Sequence, residues 1–267
     1  MPETMTGTLQ HLSYSSINQY RMCPKQFFFR KIAGVPEECK SASLIFGGAI
    51  HKAAERLHES KIMGRALPEI EYLLFEFDTA WAMEAESGPE VVYPKGDSAE
   101  SLRATAAKML AVYREHFSKQ TGEIIAIEHE ALIPLVSDTV PLKARIDLVS
   151  IEGDSLVVDD LKTAKSRYSA AKIQEALPQL VVYAAVVSRM VRELGLVRVR
   201  PRFTVITKAV HPVVQVIEPV ATQDDVVRLK ELVTETAHAI DKQVFPRREG
   251  WQCAQCPFAK RCIGASH

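Results

Sequence analysis

The dipeptide Gly153-Asp154 separates two runs, 141–151 and 155–162, that are rich in β-branched and apolar residues. A two-residue turn of this type between extended runs predicts a β-hairpin, and a hairpin fixes register. Glu152 then faces Ser155, and counting outward places Asp147 opposite Asp160. Residues directly opposite share a face, with Cβ atoms about 4.5–5.5 Å apart. Two carboxylates that close repel each other unless a cation lies between them. Lys162 follows Asp160 by two positions and so projects from the same face, whereas Asp159 points to the other. Two acidic ligands and an amine on one surface suit metal-assisted phosphodiester hydrolysis. A hard cation such as Mg²⁺ takes carboxylate oxygens and keeps waters, and the ammonium stabilises developing charge. An Asp-x-Lys pattern alone is weak, because such a pair at a strand end is usually just solvated. The upstream Asp147 in cross-strand register gives it weight.

Before the hairpin the chain reads as helical. Ser15 or Ser16 can cap a short helix ending near Cys23, and Pro24 is suited to start another over Pro24–Lys31. Apolar periodicity predicts helices over Ser43–Met63, Pro68–Glu86 and Asp97–Lys119. From Gly122 onward, 123–135 reads as a strand. After the hairpin come a long helix Ala170–Leu194, strands at 199–207 and 212–218, and a last helix Thr222–Lys242. No internal repeat or Gly/Ser linker interrupts this order. The expectation is one α/β domain over 1–267, with a helical insertion at about 64–120 and a cysteine-bearing tail.

Thirty-three Lys and Arg residues balance thirty-three Asp and Glu residues. That excludes nucleic-acid binding by bulk charge and leaves only local patches. No run of about 18 apolar residues suits a membrane span. Met1-Pro2-Glu3-Thr4 lacks the basic-then-apolar pattern of a signal peptide, so a cytoplasmic location is expected.

Five cysteines, an odd number, fit a disulfide framework poorly. Cys253, Cys256 and Cys262 lie within ten residues, Cys23 lies near the other terminus, and Cys39 stands apart. If the ends of the chain meet, Cys23 completes a four-thiolate site that either a [4Fe–4S] cluster or zinc can occupy. The scarcity of a second Cys-x2-Cys pair tilts the reading toward iron–sulfur. Its role would be structural, tethering the two ends.

Taken together, these residues resemble a known family. Leu12-Ser13-Tyr14-Ser15-Ser16-Ile17, Cys23-Pro24-Lys25-Gln26-Phe27 and Gly47-Gly48-Ala49-Ile50-His51 precede the carboxylate hairpin. Gln179-x3-Tyr183 and the cysteine triplet follow it. The pattern is similar to iron–sulfur nucleases of the PD-(D/E)XK superfamily, in the RecB-like branch. That branch includes the AddB nuclease domain and the CRISPR-associated nuclease of spacer acquisition. The resemblance implies a restriction-endonuclease-like α/β core, a mixed central sheet flanked by helices. It implies His51, Asp147 and Asp160 as ligands of Mg²⁺ or Mn²⁺, and Lys162 as catalytic. Gln179 and Tyr183 would support the site and contact DNA, and Cys23, Cys253, Cys256 and Cys262 would hold the [4Fe–4S] cluster. Two departures stand out: Ala144 where the family often has glycine, and Asp159 where it usually has an apolar residue.

Without that resemblance, His51 reads as a core or surface residue of an amphipathic helix, and Gln179 with Tyr183 as packing neighbours at i and i+4. Phe27, Phe28 and Phe29 can stack bases or pack around the cluster. Arg189, Arg192, Arg198, Arg200 and Arg202 can touch phosphates or face solvent. Lys25, Arg30, Lys31, Arg247, Arg248, Lys260 and Arg261 would gather near the cysteines and guide a DNA strand. The leading expectation is a metal-dependent DNase acting on single-stranded ends in repair, recombination or mobile-element processing. A helicase or recombination partner would be a separate chain. The alternatives are a DNA-binding subunit with little or no catalysis, serving a recombination or CRISPR-adaptation complex, and a zinc-stapled protein with no nucleic-acid role.

Overall fold

The computed structural model of the protein describes residues 9–86 and 88–263. A six-stranded mixed sheet forms its centre, built from β1 (Leu12–Ser13), β4 (Glu123–Ile133), β5 (Leu142–Glu152), β6 (Ser155–Ala164), β7 (Arg198–Thr207) and β8 (Val214–Ile217). The remaining strands, β2 (Cys39–Ser41) and β3 (Glu90–Val92), form a separate parallel pair. The helices are α1 (Tyr14–Met22), α2 (Pro24–Phe27), α3 (Ala42–Ile62), α4 (Ile70–Glu86), α5 (Ala99–Ser118), α6 (Ala170–Glu193), α7 (Gln223–Asp241) and α8 (Ala259–Ile263). This is the α/β arrangement, a mixed sheet flanked by helices, expected from the sequence.

Strands β5 and β6 are antiparallel and joined at Gly153-Asp154, with Glu152 opposite Ser155 as predicted. Gly153 takes φ 62°, a left-handed conformation that glycine adopts without penalty. From β6 the chain crosses through α6 to β7, which runs parallel to β6 from Ser155↔Arg198 to Ala164↔Thr207. A parallel partner requires such a crossover, and the unbroken burial of β6 from Ser155 to Leu161 is that of a strand covered on both faces.

Two hydrophobic cores sandwich the sheet. One joins α1, α6 and α7 to the sheet through residues such as Ile17, Leu180, Val187, Phe203 and Val233. The other joins α3, α4 and α5 through Phe46, Leu57, Phe77, Met109 and Phe117. The apolar residues of α3 recur at three- and four-residue intervals because only that stripe reaches the sheet.

Several local elements differ from expectation. Ser13, not Ser15 or Ser16, caps α1: its Oγ accepts from Ser16 N while Ser16 Oγ accepts from Ser13 N. Pro24 does open a helix, but after one turn it widens into a π-helical stretch over Phe28–Ile32. There Phe27, Phe28 and Phe29 are buried in the first core, which removes them as base-stacking groups. Arg200 and Arg202 are also turned inward. Both pair with Glu152 and Glu218, so their charge serves the sheet edge rather than a phosphate backbone.

Candidate active site

The edge of β5 that faces β6 carries two different partners. At one end β6 pairs with it only as far as Leu148↔Asp159, and at the other β1 pairs with it at Leu12↔Leu142 and Ser13↔Lys143. Residues 144–147 therefore have no ladder partner on that edge. The two strands separate here, and side chains fill the space. The Oδ2 of Asp147 accepts a hydrogen bond from the Leu161 backbone N–H at 2.8 Å, taking the place of a strand-to-strand bond.

Asp160 stands across this gap and is almost fully buried. Its Oδ1 accepts from Gln179 Nε2 at 2.8 Å and from Tyr183 Oη at 3.0 Å. Gln179 Nε2 also lies 2.7 Å from Tyr183 Oη. These two side chains are one turn apart on α6, which packs its apolar face on the sheet and so brings both to β6. Asp160 Oδ2 lies 2.6 Å from Lys162 Nζ. That short, charge-assisted contact is the one partner of this buried oxygen among the described residues. His51, reaching down from α3, places Nδ1 3.5 Å from Asp147 Oδ2. The structure thus brings His51, Asp147, Asp160, Lys162, Gln179 and Tyr183 into one cluster.

The electrostatics differ across the gap. Burial disfavours the charged form of Asp147, but the His51 hydrogen bond and charge, Lys162 and the Leu161 N–H outweigh it and hold its carboxyl low. Burial dominates at Asp160 and raises its carboxyl, with Lys162 opposing and Asp147 adding to the rise. Lys162 is held firmly as an ammonium, because Asp160 and Asp147 offset its desolvation. His51 is likewise raised against burial by Asp147. Tyr183 is pushed up by burial and by the neighbouring carboxylates, so it remains a hydrogen-bond donor.

Asp159 points away from this cluster, as the alternation of β6 requires. Its Oδ2 accepts from Thr204 Oγ1 at 2.9 Å, with Arg202 at 3.8 Å, and burial pushes its carboxyl up to about 7.

Sequence reasoning missed Glu128. On β4 it falls between the pairs Ile127↔Leu148 and His129↔Ile146, and so lies opposite Asp147 of β5. Its backbone takes φ 50°, a left-handed conformation that costs a non-glycine residue about 1–3 kcal/mol. The side chain is held 2.5 Å from Arg145, and burial together with the charge of Asp147 raises its carboxyl. Alternation along β4 alone gives no sign of this, because the signal is a backbone distortion.

The cluster suits a divalent cation by its donor set, two carboxylates and an imidazole. Among the described residues, however, no three His, Cys, Asp or Glu side chains are drawn close enough to hold a metal. Lys162 presently serves as the counter-ion of Asp160, so an incoming cation must compete with its ammonium.

The termini meet at a second locus. Cys23, Cys253, Cys256 and Cys262 line one cavity of about 340 Å³, walled by Phe29 and Phe258. All are free thiols, and Gln26 Nε2 lies 3.7 Å from Cys256 Sγ. Burial raises the thiols of Cys256 and Cys262. The donor set is that of a four-thiolate centre, but the sulfurs are not gathered into a ligating group. Cys39, which sequence reasoning set apart, is close enough for Cys256 to raise its thiol further, after burial.

No helix among the described residues is long and apolar enough to cross a membrane. No curated protein matches the chain. Among solved structures, a proposed exonuclease from Eubacterium rectale aligns with a TM-score of 0.58 at 15% identity, over 94% of this chain and 88% of its own. A likeness at that identity concerns the fold. The structure of the protein SSO0001 aligns with a TM-score of 0.37 at 14% identity, over 92% of this chain and 90% of its own, and is too dissimilar to inform the fold. A sequence profile of the PD-(D/E)XK nuclease superfamily matches residues 11–263, a span that contains the β5–β6 gap, α6 and both groups of cysteines. The chain therefore belongs to the PD-(D/E)XK nuclease superfamily.

Proposed function

We propose that the protein is a metal-dependent deoxyribonuclease that works as an exonuclease on single-stranded ends. The observation that carries this reading is the convergence of Asp147, Asp160 and Lys162 on the gap between β5 and β6, with Lys162 against the buried Asp160 carboxylate. Asp147, Asp160 and His51 would hold Mg²⁺ or Mn²⁺. When bound, such an ion polarises the scissile phosphate and lowers the pKa of a coordinated water. The protein's own groups do the positioning. Gln179 and Tyr183 fix the Asp160 carboxylate through its Oδ1, while its Oδ2 faces Lys162. Lys162, kept protonated by the two aspartates, offers a fixed positive charge where a phosphate oxygen becomes more negative. His51 fixes the orientation of Asp147 from α3.

In this reading the chain belongs to the RecB-like branch, and Cys23, Cys253, Cys256 and Cys262 hold a [4Fe–4S] cluster that ties the ends together. It acts in repair, recombination or mobile-element processing, beside a separate helicase or recombination partner. The site is tested with labelled single-stranded and duplex DNA in Mg²⁺ and in Mn²⁺. Asp160→Ala and Lys162→Ala abolish cleavage and leave DNA binding largely intact. Full activity in both variants overturns the assignment. Stable DNA binding with no cleavage by the unaltered protein in either metal favours the alternative, a DNA-binding subunit.

A further inference from the structure

Strand β5 reverses its alternation beside the gap. Ile146 and Val149, three residues apart, both pack in the first core, although an unbroken strand sends such residues to opposite faces. With Ile146 turned to the first core, Arg145 and Asp147 on either side of it project toward α3. There Asp147 meets His51. In β4, Ile127 packs against the second core, and Glu128, the next residue, turns its carboxylate to the same side, which its φ of 50° allows.

Arg145 belongs to the stretch 144–147 that has no ladder partner on the β6 side. Its Nε lies 2.5 Å from Glu128 Oε2, while its side chain stays 53% exposed. Its two terminal amino groups donate no hydrogen bond among the described residues. A guanidinium carries five donors in a planar fork, so an edge set on Glu128 leaves others for an acceptor arriving from solvent. An ion pair this exposed adds little to stability, yet Glu128 keeps an unfavourable backbone to make it. That combination is expected of a group held ready for a ligand.

We propose that Arg145 binds the phosphate next to the scissile one, with Glu128 as the positioning residue that holds its guanidinium. Two strand residues separate the Cα atoms of Arg145 and Asp147 by about 7 Å. Neighbouring phosphates of an extended strand are separated by a comparable distance, so a scissile phosphate at the gap brings its neighbour to Arg145. Parallel N–H donors of the fork match two phosphate oxygens, and a side chain already restrained by Glu128 loses less freedom on binding. The proposal rests on the nuclease reading for the identity of the substrate. It adds a binding contact that Asp147, Asp160 and Lys162 do not supply.

Single-stranded DNA with one neutral methylphosphonate, placed on either side of the scissile linkage in turn, tests the contact. With unmodified DNA in Mg²⁺, Arg145→Ala should raise KM about tenfold and leave kcat nearly unchanged. On one side the neutral linkage should raise KM of the unaltered protein by a similar factor and that of Arg145→Ala hardly at all. Glu128→Ala should show part of the loss, and no further loss when Arg145 is also alanine. Lys143→Ala removes an equal charge from the same strand, four residues from Asp147, and should change KM less than about twofold. Equal KM in Arg145→Ala and Lys143→Ala, or a full methylphosphonate loss in Arg145→Ala, overturns the contact and leaves the nuclease reading intact. Binding of the unmodified strand in EDTA needs no cleavage, and Arg145→Ala should weaken it by a similar factor. That loss in a protein that cleaves in no metal sinks the nuclease reading and leaves the phosphate contact standing.

Discussion

The β5–β6 gap and the cysteine cavity are two ways of gathering functional groups. In the first, every side chain projects from a long strand or helix, and each carboxylate is held by named donors: Leu161 N–H on Asp147, Gln179 and Tyr183 on Asp160. In the second, four thiols sit on a helix cap, a 3₁₀ turn and a five-residue helix. The sheet arranges its groups before any ligand arrives, at the cost of burying charge. The cavity brings thiols to one place without closing them into a centre, so a ligand would complete the order there. Preorganisation in one region and ligand-dependent order in the other is the contrast that experiments can break.

The largest effect is expected in the gap. Replacing Asp160 or Lys162 by alanine should lower the cleavage rate by about a thousandfold or more, the scale of removing a preorganised charge from a transition state. Thermal stability should change little in comparison, and a melting curve beside the rate measurement separates the two. A collapse of stability in step with the rate would mean that the cluster is a structural brace.

Next is a buried imidazole that supports the gap from behind. His58 Nε2 lies 2.7 Å from Tyr113 Oη, both within the second core, and burial lowers the histidine from 6.5 to about 4. Its folded pKa lies below the unfolded one, so its contribution is full above pH 6.5 and is lost as pH falls toward 4. The loss amounts to about 3 kcal/mol. Urea unfolding at pH 7 and pH 4.5 should show a smaller difference for His58→Gln than for the unaltered chain. Equal differences would show that the histidine is not held neutral in the fold.

The cavity should respond differently. Cys256→Ser should lower Tm by about 5 °C when the protein is purified without oxygen, and much less when it has been stripped of metal by chelation. The anaerobic protein should be brown and contain iron and sulfide. Zinc without iron would replace the iron–sulfur assignment. An identical Tm effect with and without chelation would show that the thiols only pack.

The smallest effect sharpens the first region. Gln179→Ala should reduce cleavage by about tenfold, because Tyr183 still donates to the same Asp160 oxygen. A loss as large as that of Asp160→Ala would make Gln179 more than a positioning residue.

The hairpin and the long helices were legible because their signals are local: Gly153 at the turn, alternation in β5 and periodicity in α3 and α6. Counting from the turn set Asp147 directly opposite Asp160, but the ladder stops one pair short, at Leu148↔Asp159. The two aspartates face each other across a gap instead of as a strand pair. The neighbourhood of the site was not legible by counting. Ser13 rather than Ser15 caps α1 because β1 ends at Ser13 itself, paired with Lys143, and the helix begins at the next residue. Strands β2 and β3 pair across the whole of α3 and α4, a long-range contact with no local mark. Arg200 and Arg202 read as a basic run in sequence, yet β7 places them against Glu152 and Glu218. Glu128 was invisible because its position depends on a backbone distortion opposite Asp147.

The most direct measurement of the central site is Mn²⁺ uptake followed by electron paramagnetic resonance, in which free ion gives the signal and bound ion does not. The unaltered protein should remove the signal stoichiometrically, whereas Asp147→Asn and Asp160→Asn should each leave it nearly intact. Equal uptake by all three proteins would place the metal elsewhere and contradict a divalent-ion site between β5 and β6.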